Sequence, residues 1–476
     1  MEVKVTKKDV LLGYISQIFN YGTGVIVLPV ILHKLSANEI GMNYVMLSVG
    51  ALVSMADFGF SGQIGKNVTY VLSGARKIFR GEVEIVREKT VDFKLLRTII
   101  DASKFLYGRL SLGVLLILLT FGSLYMHHVT EGFTNVNNSL AIWGLYSVGV
   151  FFNLYFIYYN SLLTGAGLIK EQKLASIYSR ITYIILCFGL IFSGFGLMSV
   201  VIANLVSPFV ARYYSYYKFY TKEMRANLPS EKSEKKEVKE VLSDIWVTAK
   251  KSGTNAIGQY VGSQGSTFIA GIFLPLAMTA QWGLMTQLLG VVHGLAINLA
   301  MTFYPEYCKL RVRGENELFV KKSSLSAASM IIILLIGGVA IIVLCPWLLI
   351  LIGSETKMPS TLLMAIFLVY SMIRTNAELF AMMMTSRNVI PYPTAVLTTA
   401  AAQLIFTITL LMFTDIGVWA LFVGPAIAGL SYTLWKWPQL ELKNMNISLV
   451  KYYSTGFNEI ACFLKRKLYN EYKNRK

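Results

Sequence analysis

The sequence has little charge. Only 15% of its 476 residues are Asp, Glu, Lys or Arg, whereas 55% are hydrophobic. A soluble domain keeps roughly a quarter of its residues charged. Because the deficit extends along the whole chain, the composition excludes a mainly soluble protein and leaves no room for a large soluble domain.

The sequence also lacks the motifs that carry catalysis. It has no phosphate-binding P-loop, no HExxH or CxxC spacing and no nucleophile elbow. Its four cysteines are scattered without the spacing of a disulfide framework or a metal site. We therefore predict no enzyme, no metal and no cofactor. Energy for transport then comes from consumption of the product or from an ion gradient, which leaves proton or sodium coupling open.

Long apolar segments fill most of the chain. Each is long enough to cross about 30 Å of hydrocarbon as a helix. An uncleaved first span is expected, because no small-residue cleavage site follows it. The predicted spans are 10–32, 41–62, 105–126, 139–163, 175–193, 197–219, 252–274, 280–303, 326–352, 361–386, 391–413 and 417–437.

The basic residues predict the topology. The odd-numbered connections hold almost no Lys or Arg, whereas the even-numbered ones are rich in both. The even-numbered connections and the tail contain Arg76, Lys77, Arg80, Arg87, Lys89, Lys170, Lys173, Lys222, Lys239, Lys309, Lys322, Lys465 and Lys476. This positive-inside pattern places both termini in the cytoplasm. The net charge of +18 is thus a topology signal, with attraction to membrane lipids as a second effect, and does not indicate a nucleic-acid partner.

The most polar stretch, 221–245, divides the spans six and six. The two halves begin alike, with VTKKDVLLGYISQ at Val5 and VTAKKSGTNAIGQ at Val247. We therefore predict an all-α polytopic membrane protein of about twelve spans in two pseudo-symmetric six-helix bundles. The predicted parts are a first half (1–220), a charged cytoplasmic linker (221–245), a second half (246–437) and a basic amphipathic cytoplasmic tail (438–476). A disordered tail is the alternative to an amphipathic helix on the membrane surface.

The first two spans carry a family resemblance. The segments LGYISQ, LPVILHKLSANEIGMNYVML and DFGFS, with TFYPEY at the end of span eight, resemble polysaccharide flippases. The chain is similar to the Wzx-type O-antigen flippases of the MATE-like multidrug/oligosaccharidyl-lipid/polysaccharide (MOP) exporter superfamily. Lipid II flippases of that superfamily usually have fourteen spans, which counts against that subgroup.

The resemblance implies a MATE-like fold and a function. The protein would sit in the bacterial inner membrane and move undecaprenyl-diphosphate-linked glycan, an O-antigen or similar repeat unit, to the periplasmic leaflet by alternating access. Its partners would be that glycan, membrane lipids and polysaccharide polymerase and ligase machinery. The alternative within the superfamily is an ion-coupled multidrug antiporter. A membrane-embedded glycosyltransferase is a third reading, but the longest periplasmic connection, around 127–138, is short and poor in acids.

Several polar residues within the spans are candidates for the site. Arg374 lies mid-span, and Glu378 four residues on is within reach of an ion pair. Arg374 either lines the lumen and binds a diphosphate or acidic sugar, or locks span ten to a neighbour. Six cations lie toward the cytoplasmic side: Lys250, Lys251, Arg212, Lys218, Arg180 and Arg109. They either reach the headgroups individually or together form a cationic entrance for an anionic lipid head.

Two further residues are candidates for gating or coupling. Asp57 ends span two within the family-like DFGF segment. His293 lies mid-span in span eight, where a titratable side chain either couples transport to protons or is a neutral hydrogen-bonding partner. The amides of Asn160, Gln259, Gln264 and Gln403 either bind sugar hydroxyls or join helices to one another.

Overall fold

The computed structural model describes residues 23–24, 26–78, 90–386 and 393–474. Within these ranges the regular elements are helices, and none is a strand. The all-α prediction is therefore confirmed. The chain divides into two compact units, which are taken in turn.

The N-terminal unit comprises residues 1–260 with the short segments Pro275–Ala277 and Ile352–Glu355. Its helices are α1 (26–34), α2 (Ala37–Ser54), α3 (Phe60–Leu72), α4 (Phe93–Ile117), α5 (Ser123–Val129), α6 (Ser139–Tyr155), α7 (Ile157–Gly165), α8 (Ile169–Phe192), α9 (Met198–Phe219), α10 (Lys222–Asn227) and α11 (Lys235–Tyr260). Its core forms where α3, α4, α7 and α11 meet, around the fully buried Ile64, Ile99 and Leu162.

The polar stretch 221–245 folds as α10 and the first half of α11. Val241 and Ile245 of α11 are buried in the core of the N-terminal unit. Ser233 donates its backbone N–H to Asp101 on α4 at 3.2 Å, and Lys94 forms an ion pair with Glu237 at 2.7 Å. Apolar burial, a backbone hydrogen bond and an ion pair thus hold this stretch against the N-terminal unit, and its boundaries as a domain linker stay a prediction.

The C-terminal unit comprises Val261–Leu274, Met278–Leu351 and Thr356–Lys476. Its helices are α12 (Ser266–Phe273), α13 (Leu276–Arg313), α14 (Asn316–Leu351), α15 (Thr361–Thr385), α16 (Pro393–Phe413), α17 (Ala420–Ser431), α18 (Thr433–Met445) and α19 (Leu449–Asn474). One core cluster gathers Tyr307, Phe319, Phe380 and Tyr452, all fully buried.

The end of the chain is the helix α19, which packs along α14. A Cβ on Gly456 would overlap the carbonyl oxygen of Ser324, so the two backbones are in close contact. Lys321 and Glu459 form an ion pair at 3.0 Å. Tyr453 donates its hydroxyl to Asn376 Oδ1 on α15 at 2.5 Å. The helix is thus part of the packed C-terminal unit.

Nine helical stretches within the described ranges are long and apolar enough to cross a membrane. They include Ala37–Asp57, Phe93–Val129, Leu276–Tyr304 and Asn316–Leu351. The prediction of a multi-pass membrane protein is therefore confirmed. The number twelve stays a prediction, because the predicted span 10–32 lies largely outside the described residues.

Candidate substrate site

A polar cavity of about 220 Å³ lies within the N-terminal unit, between the helices α6 to α9. Two of the predicted cations, Arg180 and Arg212, line it together. The other polar residues in its wall are Asn153, Tyr159, Asn160, Gln172, Ser176, Ser179, Asn204, Ser207 and Ser215. Among the described residues of the wall, none is acidic.

Helical spacing explains why these residues meet. On α8 the wall residues fall at 172, 176, 179 and 180, which is one face of a helix. On α9 they fall at 204, 207, 208, 211, 212 and 215, again one face. Both faces carry polar side chains, and Ser179 joins them by donating its hydroxyl to the carbonyl of Ser207 at 3.0 Å.

Arg212 is held by aromatic rings. Its guanidinium carbon lies 4.9 Å from the ring centroid of Phe156 and 6.0 Å from that of Tyr159. Both rings are buried, while Arg212 itself is exposed. A cation over an aromatic face is stabilised by the ring quadrupole, and a stacked guanidinium keeps the N–H donors of its edge free for an anion.

Pro208 interrupts the hydrogen-bond ladder of α9 beside the cavity. It lies inside α9 and has no N–H, so the carbonyl of Asn204 accepts no helical hydrogen bond from position 208. Asn204 and Pro208 both line the cavity.

The C-terminal unit brings three other predicted residues close together. His293 Nε2 on α13 lies 3.3 Å from Glu378 Oε2 on α15, and His293 Nδ1 lies 3.4 Å from Thr375 Oγ1. The side chains of His293 and Glu378 are 33% and 48% exposed, so solvent or a ligand can reach the pair. Glu378 thus pairs with a histidine of the neighbouring helix. It forms no ion pair with Arg374, although both side chains lie in the described part of the chain.

Asp57 lies at a break in the second span. Its carboxylate accepts hydrogen bonds from the Tyr107 hydroxyl, from Ser61 N at 3.2 Å and from Ser61 Oγ at 2.7 Å. The next two residues, Phe58 and Gly59, have positive φ values of 46° and 78°. Asp57 therefore accepts a backbone hydrogen bond at the N-terminus of α3, directly after the two residues that interrupt the helix.

Lys250 and Lys251 lie on α11, but their side chains fall outside the described residues. The other predicted residues fall into three places. Arg180 and Arg212 line the cavity, His293 and Glu378 form a polar pair with Arg374 on the same helix as Glu378, and Asp57 lies at a helix break. Their roles in transport stay predictions.

Gln172, Asn204 and the serines of the cavity were not among the site residues predicted from the sequence. The polar residues at 176, 179 and 180 fall at helical spacing within the predicted span 175–193, and Gln172 lies one turn before them. That repeat was the signal that could have revealed the cavity.

Comparison with known proteins assigns the fold. No family model matches the chain, and no curated protein matches it. A solved structure described as the lipid II flippase MurJ in an inward closed conformation matches with a TM-score of 0.63 at 12% identity, covering 97% of this chain and 93% of that one. An inward-facing multidrug-resistance MATE transporter of the MOP superfamily matches with a TM-score of 0.56 at 16% identity, covering 90% and 95%.

The chain thus has the MATE-like fold that the sequence predicts, and both of these matched proteins are transport proteins rather than enzymes. At these identities the likeness concerns the fold alone. The Wzx-type assignment stays a prediction.

Proposed function

We propose that this protein is a flippase for a polyprenyl-diphosphate-linked oligosaccharide, such as an undecaprenyl-linked O-antigen or similar repeat unit. It moves this substrate from the cytoplasmic to the periplasmic leaflet of the bacterial inner membrane by alternating access. Both termini lie in the cytoplasm, and polysaccharide polymerase and ligase use the product.

The observation that carries this proposal is the cavity with Arg180 and Arg212. Two unit charges of like sign about 4 Å apart repel by about 4 kcal/mol at an effective dielectric constant of 20. A cationic drug entering this cavity meets such repulsion, and no acidic residue of the described wall offsets it. A diphosphate is attracted by the same field and accepts paired N–H bonds from arginine.

One observation favours the rival, an ion-coupled multidrug antiporter. Glu378 is a half-exposed carboxylate within a span, and it lies beside His293, a residue type that can carry protons. An antiporter needs such a group for its coupling ion. The flippase is preferred because the polar cavity of the N-terminal unit is cationic.

The experiment that tests the proposal is deletion of the gene in its native host, followed by complementation. We expect loss of surface glycan and accumulation of the lipid-linked repeat unit on the cytoplasmic leaflet. The wild-type gene and an Arg109→Gln variant restore the glycan, whereas Arg180→Gln and Arg212→Gln do not. Arg109 is a matched control because it lies outside the cavity, with its guanidinium carbon 4.3 Å from the Phe105 ring centroid.

Unchanged surface glycan in the deletion strain, together with new sensitivity to cationic drugs, would replace the flippase with the antiporter. Equal complementation by Arg109→Gln and Arg212→Gln would show that the cavity has no part in transport.

A further inference from the structure

We infer that the cavity between α6 and α9 binds a glycosyl phosphate, that is, one sugar residue with the phosphate attached to it. Arg180 and Arg212 hold the phosphate, and the amides of Asn160, Gln172 and Asn204 hold the sugar hydroxyls. This inference rests on the proposed function, because it identifies which part of the lipid-linked substrate the cavity takes.

The first observation that supports a sugar site is the state of the amide side chains. In the described part of the chain, the side chains of Asn160, Gln172 and Asn204 form no hydrogen bond with the protein. The general alternative for an amide in a span is to join two helices, and these three do not. Each amide offers two N–H donors and one carbonyl acceptor, the complement of hydroxyl groups that both donate and accept.

The second step is the placement of the charge. Arg212 stacks over Phe156 and Tyr159, so its guanidinium is fixed in orientation before a ligand arrives. A fixed guanidinium presents two parallel N–H donors to one phosphate. Arg180 lines the same cavity, so a single anionic group is attracted by two cations.

The third step is size. The cavity volume of about 220 Å³ is smaller than the roughly 300–1,000 Å³ of sites that enclose a drug-sized molecule. One sugar with its phosphate is of the right order for this volume. The amide carbonyls can accept hydrogen bonds from sugar hydroxyls, which a fully ionised phosphate cannot donate.

The test is ligand binding to the purified full-length protein in nanodiscs, measured by saturation-transfer NMR titration. The probes are glucose 1-phosphate, methyl α-glucoside, inorganic phosphate and a short-chain prenyl-diphosphate-linked glucose. We expect glucose 1-phosphate to bind at least tenfold more tightly than either methyl glucoside or inorganic phosphate. Arg212→Gln and Gln172→Ala each weaken it about tenfold or more, and Arg109→Gln leaves it unchanged.

Different outcomes separate the two proposals. Equal binding of inorganic phosphate and glucose 1-phosphate, with no effect of Gln172→Ala, would overturn the sugar-phosphate site and leave the flippase proposal standing. Tighter binding of the prenyl-linked probe supports both proposals. Equal affinity for glucose 1-phosphate and the prenyl-linked probe supports the site but points to a soluble sugar phosphate, which counts against the flippase.

Discussion

His293 and Glu378 form a contact between two helices of the C-terminal unit that the linear sequence does not indicate. The Nε2–Oε2 distance of 3.3 Å joins α13 to α15 across 85 positions of the chain. Arg374 lies one turn from Glu378 on α15 yet is not its partner. The carboxylate thus has a polar partner on the neighbouring helix, and no ion pair joins the described side chains of Glu378 and Arg374.

This pairing gives a prediction for double variants. His293→Gln and Glu378→Gln should be non-additive in the free energy of unfolding, with a coupling of about 0.5 kcal/mol or more. The coupling between Arg374→Gln and Glu378→Gln should be smaller than that, because these two side chains form no ion pair. Thermal unfolding of the purified variants in detergent measures both cycles.

Transport supplies the control for this prediction. Arg374→Ala should lose transport at normal membrane levels, and adding Glu378→Ala should not restore it. Recovery of transport in that double variant would mean that Arg374 serves to neutralise Glu378, and the lumen role of Arg374 would be wrong.

Asp57 gives a second prediction at the residue scale. Asp57→Ala removes the acceptor of the Tyr107 hydroxyl and leaves that hydroxyl unpaired on a fully buried side chain. Loss of a cap costs about 0.5–2 kcal/mol, and an unsatisfied buried hydroxyl adds about 1–3 kcal/mol. The double variant Asp57→Ala/Tyr107→Phe should regain the stability that the unsatisfied hydroxyl costs. Thermal unfolding tests this, and a double variant less stable than Asp57→Ala would contradict it.

Single residues were predictable where their chemistry is unusual for a membrane span. Arg180, Arg212 and Arg374 stand out by charge alone, and all three lie in described helices. Their grouping was not predictable, because it depends on how α8 rotates against α9 and α13 against α15. The packing of α8 against α9 brings Arg180 and Arg212 into one cavity. The packing of α13 against α15 places His293 beside Glu378.

At the scale of elements, α19 shows how a basic, amphipathic segment becomes part of a packed unit. Sequence periodicity supports a helix, but one of the contacts that hold it depends on a small residue. Gly456 lets the backbone of α19 reach the carbonyl of Ser324 on α14. The membrane-surface interpretation could not foresee this, because a glycine contributes nothing to an amphipathic pattern.

We therefore predict that Gly456→Ala destabilises the C-terminal unit. The added methyl group overlaps backbone atoms, and such overpacking costs about 1–3 kcal/mol. The matched control is Gly290→Ala on α13, where no heavy atom outside the helix's own backbone lies within 4 Å of the new Cβ. That variant should be neutral or slightly stabilising, because alanine reduces the entropy of the unfolded chain.

The measurement is the midpoint of thermal unfolding for both glycine variants under the same detergent conditions. A midpoint for Gly456→Ala equal to or above that of Gly290→Ala would show that α19 is not held at this contact.

Helix boundaries were less predictable than the helices themselves. The apolar run predicts a span from 105, but α4 begins at Phe93 because Asp92 accepts a hydrogen bond from Leu95 N at 2.9 Å. Likewise α13 continues to Arg313 and α14 begins at Asn316, well outside the apolar runs 280–303 and 326–352. Hydropathy reports the part of a helix that lies in hydrocarbon, whereas capping and ion pairs decide where the helix ends.

For the whole molecule, the distribution of basic residues makes a prediction independent of the substrate. Cys462 on α19 is exposed, whereas Cys187 is buried and Cys308 and Cys345 are half-buried. If both termini are cytoplasmic, a membrane-impermeant maleimide should label Cys462 in inverted membrane vesicles and not in intact spheroplasts. The physical reason is that Lys and Arg near the ends of spans remain on the cytoplasmic side.

Two variants complete this topology test. Cys462→Ser should lose the label in inverted vesicles, which assigns the signal to that residue. Adding Asn137→Cys to this background should give the opposite pattern, because Asn137 is exposed in the connection predicted to be periplasmic. Labelling of Cys462 in spheroplasts would require an odd number of spans or an inverted orientation. An inverted orientation would move the cavity of Arg180 and Arg212 away from the leaflet where a lipid-linked sugar is made, and the proposed direction of transport would fail with it.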